Sequence, residues 1–405
     1  MIRVLMVHNY YQQRGGEDAV FESEVELLRA NGHPVDTLTF HNDGIEDNAL
    51  GKLKLAASLV HNADSASALE RKIRAFNPDV IHIHNLFPVG SPALLSVAAA
   101  YGVPVVMTLH NYRLICANAL LYRDGEVCQD CVHKTVPMPG IVRGCYRGSC
   151  LQTAGLATMT STHKMLHTWQ NKVARYITLT DFARNRILDS SLHLRNEQVV
   201  VKSNFMFDPL AKDTDGASRD EKPHALFIGR LSEEKGMDTL LEAFQESGDP
   251  IRIIGGGPYE AQVKAAAEVC PNIQYLGFQE KPRIMAELQS AACLVFPSVW
   301  FEGFPMTLVE ALAMGTPAVV SAIGGLPEII EDGYNGLHVT PGHPVDVVQQ
   351  TQRLLQDSNL QKTLAENARQ RYLQRYTPDR NYQQLQAIYQ STCQSGSKHV
   401  VTETV

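Results

Sequence analysis

Short runs of β-branched and apolar residues recur along this chain, and most lead through a bend into apolar residues at helical spacing. In the first half the runs fall at 3–7, 35–40, 80–83, 103–108, 176–179 and 199–201, with helical patterns at 17–30, 66–76 and 93–100 between them. Strands alternating with helices in this way imply a doubly wound parallel sheet. After a polar stretch at 203–220, which reads as a linker, the rhythm starts again with runs at 225–228, 251–254, 273–276, 293–296 and 318–321. A chain of 405 residues exceeds one ordinary domain, so the expectation is two α/β domains. Helical patterns at 345–355, 360–376 and 378–389 close the chain, and the tail from Ser391 reads as loose.

In such sheets ligands gather beyond the carboxyl ends of the strands, so the residues just after each run are the informative ones. Gly15 and Gly16 follow the first strand, and His8, His84 and His110 stand at strand ends of the first half. In the second half the post-strand loops carry Arg230 and Lys235 between Gly229 and Gly236, then Gly255-Gly-Gly-Pro258, Gly277, and Gly324-Gly325. Glycine at these bends lets backbone approach a ligand closely. A plain tight turn with ordinary surface charges remains the competing reading for each loop taken alone.

The stretch 301–315 is the richest. Glu302 sits in the loop after a buried strand, Pro305 suits the first turn of a helix, and Gly315 with Pro317 suits its end, which puts Glu310 about two turns along. The N–H groups of Met306 and Thr307 would then face an anion, for which a phosphate is the fitting partner. Carboxylates are repelled by phosphate, so Glu302 and Glu310 are read as acceptors for hydroxyls on either side of it. The same two residues would also suit an amphipathic helix with one loop glutamate.

Composition narrows the function classes. No segment reaches the ~18 apolar residues of a membrane span, and the opening residues read as a strand, not a signal peptide, so a cytoplasmic location is expected. A formal net charge of −7 argues against general nucleic-acid binding. Five of the eight cysteines fall between Cys116 and Cys150. Cys116, Cys128, Cys131 and Cys145 form a Cys-x-x-Cys knuckle with two further thiols, enough for a structural zinc, with plain thiols and, last, a disulfide as the alternatives. Across 143–186 the cations Arg143, Arg147, Lys164, Lys172, Arg175, Arg184 and Arg186 face one acid, Asp181. An amphipathic helix at 159–173 carrying Met165, Leu166 and Trp169 would make this segment a surface for peripheral contact with anionic lipid on the inner membrane face. A solvated helix face is the plainer alternative.

Taken together, Gly229-Arg-Leu…Lys235-Gly, Gly255-Gly-Gly-Pro, Phe301-Glu-Gly-Phe-Pro…Glu310 and Gly324-Gly-Leu-Pro-Glu328 resemble glycosyltransferase family 4 (group 1), retaining enzymes of the GT-B fold. The resemblance covers nearly the whole chain. It implies two Rossmann-like domains facing each other across a cleft: residues 1–207 binding the acceptor, with the helix 378–390 packing back on them, and 208–377 binding the donor, a UDP- or GDP-sugar. Residues 391–405 are left as a disordered tail. Carried over position by position, it implies that Arg230 and Lys235 hold the diphosphate and Glu310 the ribose. Glu302 contacts the transferred sugar, with Phe304, Pro305, Met306 and Thr307 beside it; His110 lies near the sugar, Gly15 and Gly16 near the diphosphate, and Gly277 lines the donor site. Asn204 resembles the asparagine opening the family's linker, although Asn-Phe-Met-Phe-Asp replaces the commoner Asn-Gly-Val-Asp. The implied activity is metal-independent hexosyl transfer to a glycan, lipid-linked or small-molecule hydroxyl in polysaccharide or glycoconjugate biosynthesis, with no required cofactor. A GT-B-fold epimerase and a non-catalytic sugar-nucleotide-binding protein are the alternatives.

Overall fold

The computed structural model describes residues 1–11, 15–42, 58–211 and 222–396. Its contacts divide the chain into two units. One comprises Met1–Leu121, Cys128–Ser203 and the residues from Asn381 on; the other comprises Tyr122–Val127 and Asn204–Arg380.

The first unit is built on β1 (Val4–Tyr10), β2 (Val35–His41), β3 (Val80–Ile83) and β4 (Val105–Thr108). A two-stranded hairpin, β5 (Tyr122–Arg123) and β6 (Glu126–Val127), interrupts the series and groups with the other unit. β7 (Arg175–Thr178) and β8 (Val199–Val201) then complete a parallel sheet of order β2-β1-β3-β4-β7-β8. β1 and β3 are wholly apolar or buried because helices cover both faces. One side of the core joins Val4, Met6, Phe21, Val25, Val80 and Ile177 to Leu385, Ile388 and Tyr389 of the last helix, Pro378–Gly396.

The second unit contains β9 (Ala225–Ile228), β10 (Ile251–Ile254), β11 (Ile273–Gly277), β12 (Cys293–Phe296), β13 (Ala318–Ser321) and β14 (Gly336–Val339). Its order, β11-β10-β9-β12-β13-β14, is 3-2-1-4-5-6 when counted within the unit, the doubly wound order with a crevice where the first strand meets the fourth. Phe227, Val295, Val319, Leu240 and Phe244 lie in its core.

The expected strands are present, with one further strand, β14, and the hairpin, too short to show a period. Three expectations change. The helix begins at Met306, so Glu310, its fifth residue, stands about one turn in, not two, and it ends at Ala313. The last helix runs past Ser391 to Gly396, and Thr392 is fully buried and bonded to the Ile388 carbonyl, so the loose tail does not begin at 391; residues 397–405 lie outside the described residues, as do 212–220 of the linker.

The third concerns 159–173, which is not one helix. A helix Cys150–Met165 stops, His167 takes a left-handed conformation, and a short helix Thr168–Asn171 follows in a new direction. Trp169 is therefore fully buried, its indole N–H toward the Thr160 carbonyl. Lys164 is buried too and donates to Ser191 Oγ at 2.8 Å, Lys172 donates to Ser96 Oγ at 2.8 Å, and Arg143 pairs with Asp130. Only Met165 and Leu166 of the proposed apolar anchor are exposed, so the amphipathic lipid-facing helix is not formed. No described helix is long and apolar enough to cross a membrane.

Candidate active site

At the crevice of the second sheet, the loop 229–236 leaves β9 and the loop 297–305 leaves β12. Two backbone features press these loops together. Gly236 has φ +74°, and a Cβ there would stand 1.9 Å from the Pro297 carbonyl oxygen, so no other residue fits. The Val299 N–H then donates to the Glu234 carbonyl at 3.1 Å. A similar constraint sets the neighbouring loop, where a Cβ on Gly255 would meet the Gly229 oxygen at 1.8 Å.

This packing brings Lys235 onto Glu302, with Nζ 2.7 Å from Oε1 and 3.0 Å from Oε2. The same carboxylate accepts from Ser298 Oγ at 2.5 Å and from Trp300 Nε1 at 2.8 Å. Glu302 is thus buried with its orientation fixed, Oε1 taking three donors and Oε2 only the Lys235 ammonium. Lys235 also stands over the Phe296 and Trp300 rings, at 5.3 and 5.4 Å. Arg230 is exposed on the same loop, with no ion pair among the described residues. Glu310 pairs with Lys281 of the helix Lys281–Ser290. Met306 and Thr307 open the helix Met306–Ala313 behind Pro305, with no preceding helical carbonyl to receive their N–H groups. Phe304 packs on Tyr376 with ring centroids 5.9 Å apart, and Gly277 ends β11 at φ +68°. The sequence placed Arg230 and Lys235 together as cations; the contact between Lys235 and Glu302 emerges only from the strand order.

The first sheet changes direction between β1 and β3. Gly15 caps the helix Gly16–Ala30, and its N–H donates to Asp18 Oδ2 at 2.8 Å while His8 Nε2 lies 2.7 Å from Asp18 Oδ1. A Cβ on Gly15 or Gly16 would meet no atom of the described residues within 4 Å. Glu17 follows, taking a hydrogen bond from Asn85 Nδ2 at 3.1 Å. Burial pushes its carboxyl up to about 7, opposed by the Tyr11 hydroxyl and reinforced by Asp18.

Beneath this edge lies a polar centre. His84 Nδ1 is 3.0 Å from His110 Nε2, and His84 Nε2 is 3.3 Å from Glu24 Oε2. The second approach is poorly aligned for a hydrogen bond, yet neither atom has another hydrogen-bond partner among the described residues. Glu24 Oε1 meets Lys202 Nζ at 2.5 Å, with both side chains fully buried. His82 is held by Tyr389 at Nδ1, 2.7 Å, and by Thr108 at Nε2, 2.8 Å. Burial alone would raise the Glu24 carboxyl, but the Lys202 ammonium, foremost, holds it well below its ordinary value. Burial lowers His82, His84 and His110, which favours the neutral form of each ring. Sequence reasoning missed both Glu17 and Glu24. The signal for Glu24 was its position in the apolar stripe Val20, Glu24, Leu28 of the first helix.

Glu24, His82 and His84 are the one trio of His, Cys, Asp or Glu ligand atoms within 4.8 Å of one another among the described residues. The Lys202 ammonium already supplies the positive charge there. The four cysteines do not reach that mutual spacing. They share one neighbourhood: Cys131 and Cys145 sulfurs lie 3.4 and 4.0 Å from where a Gly140 Cβ would stand, and burial, with the other three thiols nearby, raises Cys131 to about 11. None of the four is in a disulfide.

Residues 14–208 match the family model described as Glycosyltransferase Family 4, and residues 211–371 that described as Glycosyl transferases group 1. An uncharacterized glycosyltransferase of Methanocaldococcus jannaschii is 23% identical over 376 residues, covering 91% of this chain and 93% of the relative. Among solved structures, the sucrose-phosphate synthase of Thermosynechococcus elongatus superposes with a TM-score of 0.69 at 18% identity, over 96% of this chain and 98% of that one. HepE of Anabaena, in complex with UDP and glucose, gives 0.63 at 18% identity, over 96% and 100%.

Proposed function

The chain belongs to the family 4, group 1 glycosyltransferases of GT-B fold, and from that premise we propose that it moves a hexose-type sugar, with retention, from a UDP- or GDP-sugar to an acceptor hydroxyl on a glycan, a lipid-linked or a small molecule. The observation that carries this reading is the cation pair of the second unit: Lys235 on an oriented Glu302, with Arg230 exposed on the same loop and without an ion pair among the described residues. The complex of the Anabaena protein with UDP and glucose supports a nucleotide-sugar donor.

In the proposed reaction the bond from the anomeric carbon to the diphosphate oxygen breaks while the acceptor oxygen attacks on the same face, and the acceptor proton passes to the departing phosphate oxygen. Negative charge therefore grows on the diphosphate. Arg230, Lys235 and the N–H groups of Met306 and Thr307 stabilise that charge. Lys235 is held by Glu302 until a phosphate competes for it, and Glu302, locked by Ser298 and Trp300, then accepts from a sugar hydroxyl. Glu310 exchanges its exposed Lys281 partner for the ribose. His110 of the first unit receives a substrate hydroxyl. Thermal unfolding in the presence of a panel of UDP- and GDP-sugars tests the donor site. A ligand at 100 times its Kd adds ~2.7 kcal/mol of stability. One or more members should raise Tm, and Arg230→Ala should erase the shift. No shift with any member, or an undiminished one in Arg230→Ala, overturns the assignment.

A further inference from the structure

The histidines of the first unit form a directed line. A neutral imidazole carries one donor nitrogen and one acceptor nitrogen, whereas a carboxylate only accepts. Glu24 Oε2 and His84 Nε2 are buried atoms facing each other at 3.3 Å with no other hydrogen-bond partner among the described residues, so the proton between them sits on Nε2 of His84. His84 Nδ1 is then bare. It lies 3.0 Å from His110 Nε2, and two bare nitrogens at that distance would repel, so His110 carries its proton on Nε2. The two rings stack at 26° with centroids 5.2 Å apart, which keeps the line rigid. Lys202 fixes the other carboxylate oxygen, so the line has one direction.

We propose that Glu24 and His84 are positioning residues that fix the tautomer of His110, leaving its Nδ1 as a lone-pair acceptor for a substrate hydroxyl. The placing of that hydroxyl rests on the proposed function; the tautomer does not. His110 is partly exposed, and Nδ1 is the ring nitrogen left free by His84. The residue therefore takes a hydrogen bond from a sugar or acceptor hydroxyl and does not donate one to a diphosphate oxygen. A Glu24→Gln change, with Lys202→Met to remove the stranded ammonium, replaces a group that can only accept by an amide that can accept or donate, so the direction of the line is no longer imposed. Where the amide turns its NH2 to His84 Nε2, His84 carries its proton on Nδ1 and so does His110.

The test uses the full, ligand-free chain labelled with ¹⁵N-histidine, its two relevant rings assigned by loss of signal in His84→Gln and His110→Gln. Wild-type protein should show both rings neutral, protonated at Nε2 and bare at Nδ1. A protonated His110 Nδ1, or an imidazolium, overturns the proposal. In the Glu24→Gln/Lys202→Met protein, where the head of the line can also donate, the His110 Nδ1 resonance is expected to move from the bare toward the protonated range, and the wild-type spectrum decides the proposal whether or not that variant folds. Neither readout involves a sugar nucleotide, so failure here is distinct from failure of the donor assignment.

Discussion

Both units place acids against bases near the carboxyl edge of a parallel sheet, and they do so in opposite ways. In the first, Glu24, His82, His84 and Lys202 are buried, and the chain supplies their partners. In the second, Lys235 keeps 18% of its side chain exposed, Lys281 keeps 54%, and Arg230 is exposed with no ion pair among the described residues. A polar group that water cannot reach must have its partner built in, whereas one at the surface can exchange its partner for a ligand at little cost. The first centre is fixed before any substrate arrives, and the second is arranged to trade contacts.

Lys202→Met is the strongest way to break this contrast. It leaves the Glu24 carboxylate buried and unpaired and should cost ~3–5 kcal/mol of unfolding free energy, whereas Lys281→Ala should cost ~0–1 kcal/mol. Urea denaturation of the two variants compares them directly, and equal losses would erase the distinction. On the trading side, Arg230→Ala and Lys235→Ala should each lower turnover by ~100-fold or more, the scale of removing a donor that serves the transition state, and Arg230→Ala should do so with little change in stability, since it leaves no buried carboxylate behind as Lys235→Ala does at Glu302. Near-wild-type rates in either variant would remove that residue from the diphosphate site.

Glu17 sharpens the comparison by a smaller margin, since it belongs to the fixed unit but lies at its edge. Its folded carboxyl stands at about 7, above the ordinary 4.5, so between those values the native chain holds a proton that the unfolded chain has lost. The stability this lends is present below about pH 4.5 and disappears as the pH rises through 7. Glu17→Gln should therefore gain on wild type by on the order of 1–3 kcal/mol between pH 5 and 8. Parallel stability curves for the two proteins would show that burial does not perturb this carboxyl.

The trading side was the more legible in sequence. Lys235 and Glu302 stand in loops marked by glycine and proline, and those breakers declare themselves without tertiary information. Their direct contact needed the 3-2-1-4-5-6 order, which a linear pattern of strands does not specify. The fixed side was half legible. His84 and His110 fall at strand ends and could be read as one edge, but Glu24 sits on a helix where a glutamate is ordinarily solvated, and Lys202 follows three valines with no nearby sign of its partner. Trp169 was misjudged for a local reason. The left-handed turn at His167 resets the helical phase, so an apolar stripe counted across it points nowhere.

The last helix belongs with the first unit, where Tyr389 closes the ring of partners around His82 and Asn381 Nδ2 binds the Ser203 carbonyl across 178 residues of sequence. On the ribosome those intervening residues take roughly 9–36 s to make at ~5–20 residues per second. Through that interval the N-terminal segment has its sheet and its buried charges but not the hydroxyl that satisfies His82 or the apolar side chains that cover Val4 and Met6. The domain synthesised first is thus the last to finish, and a nascent chain stalled before residue 378 would expose an uncovered core to chaperones and proteases.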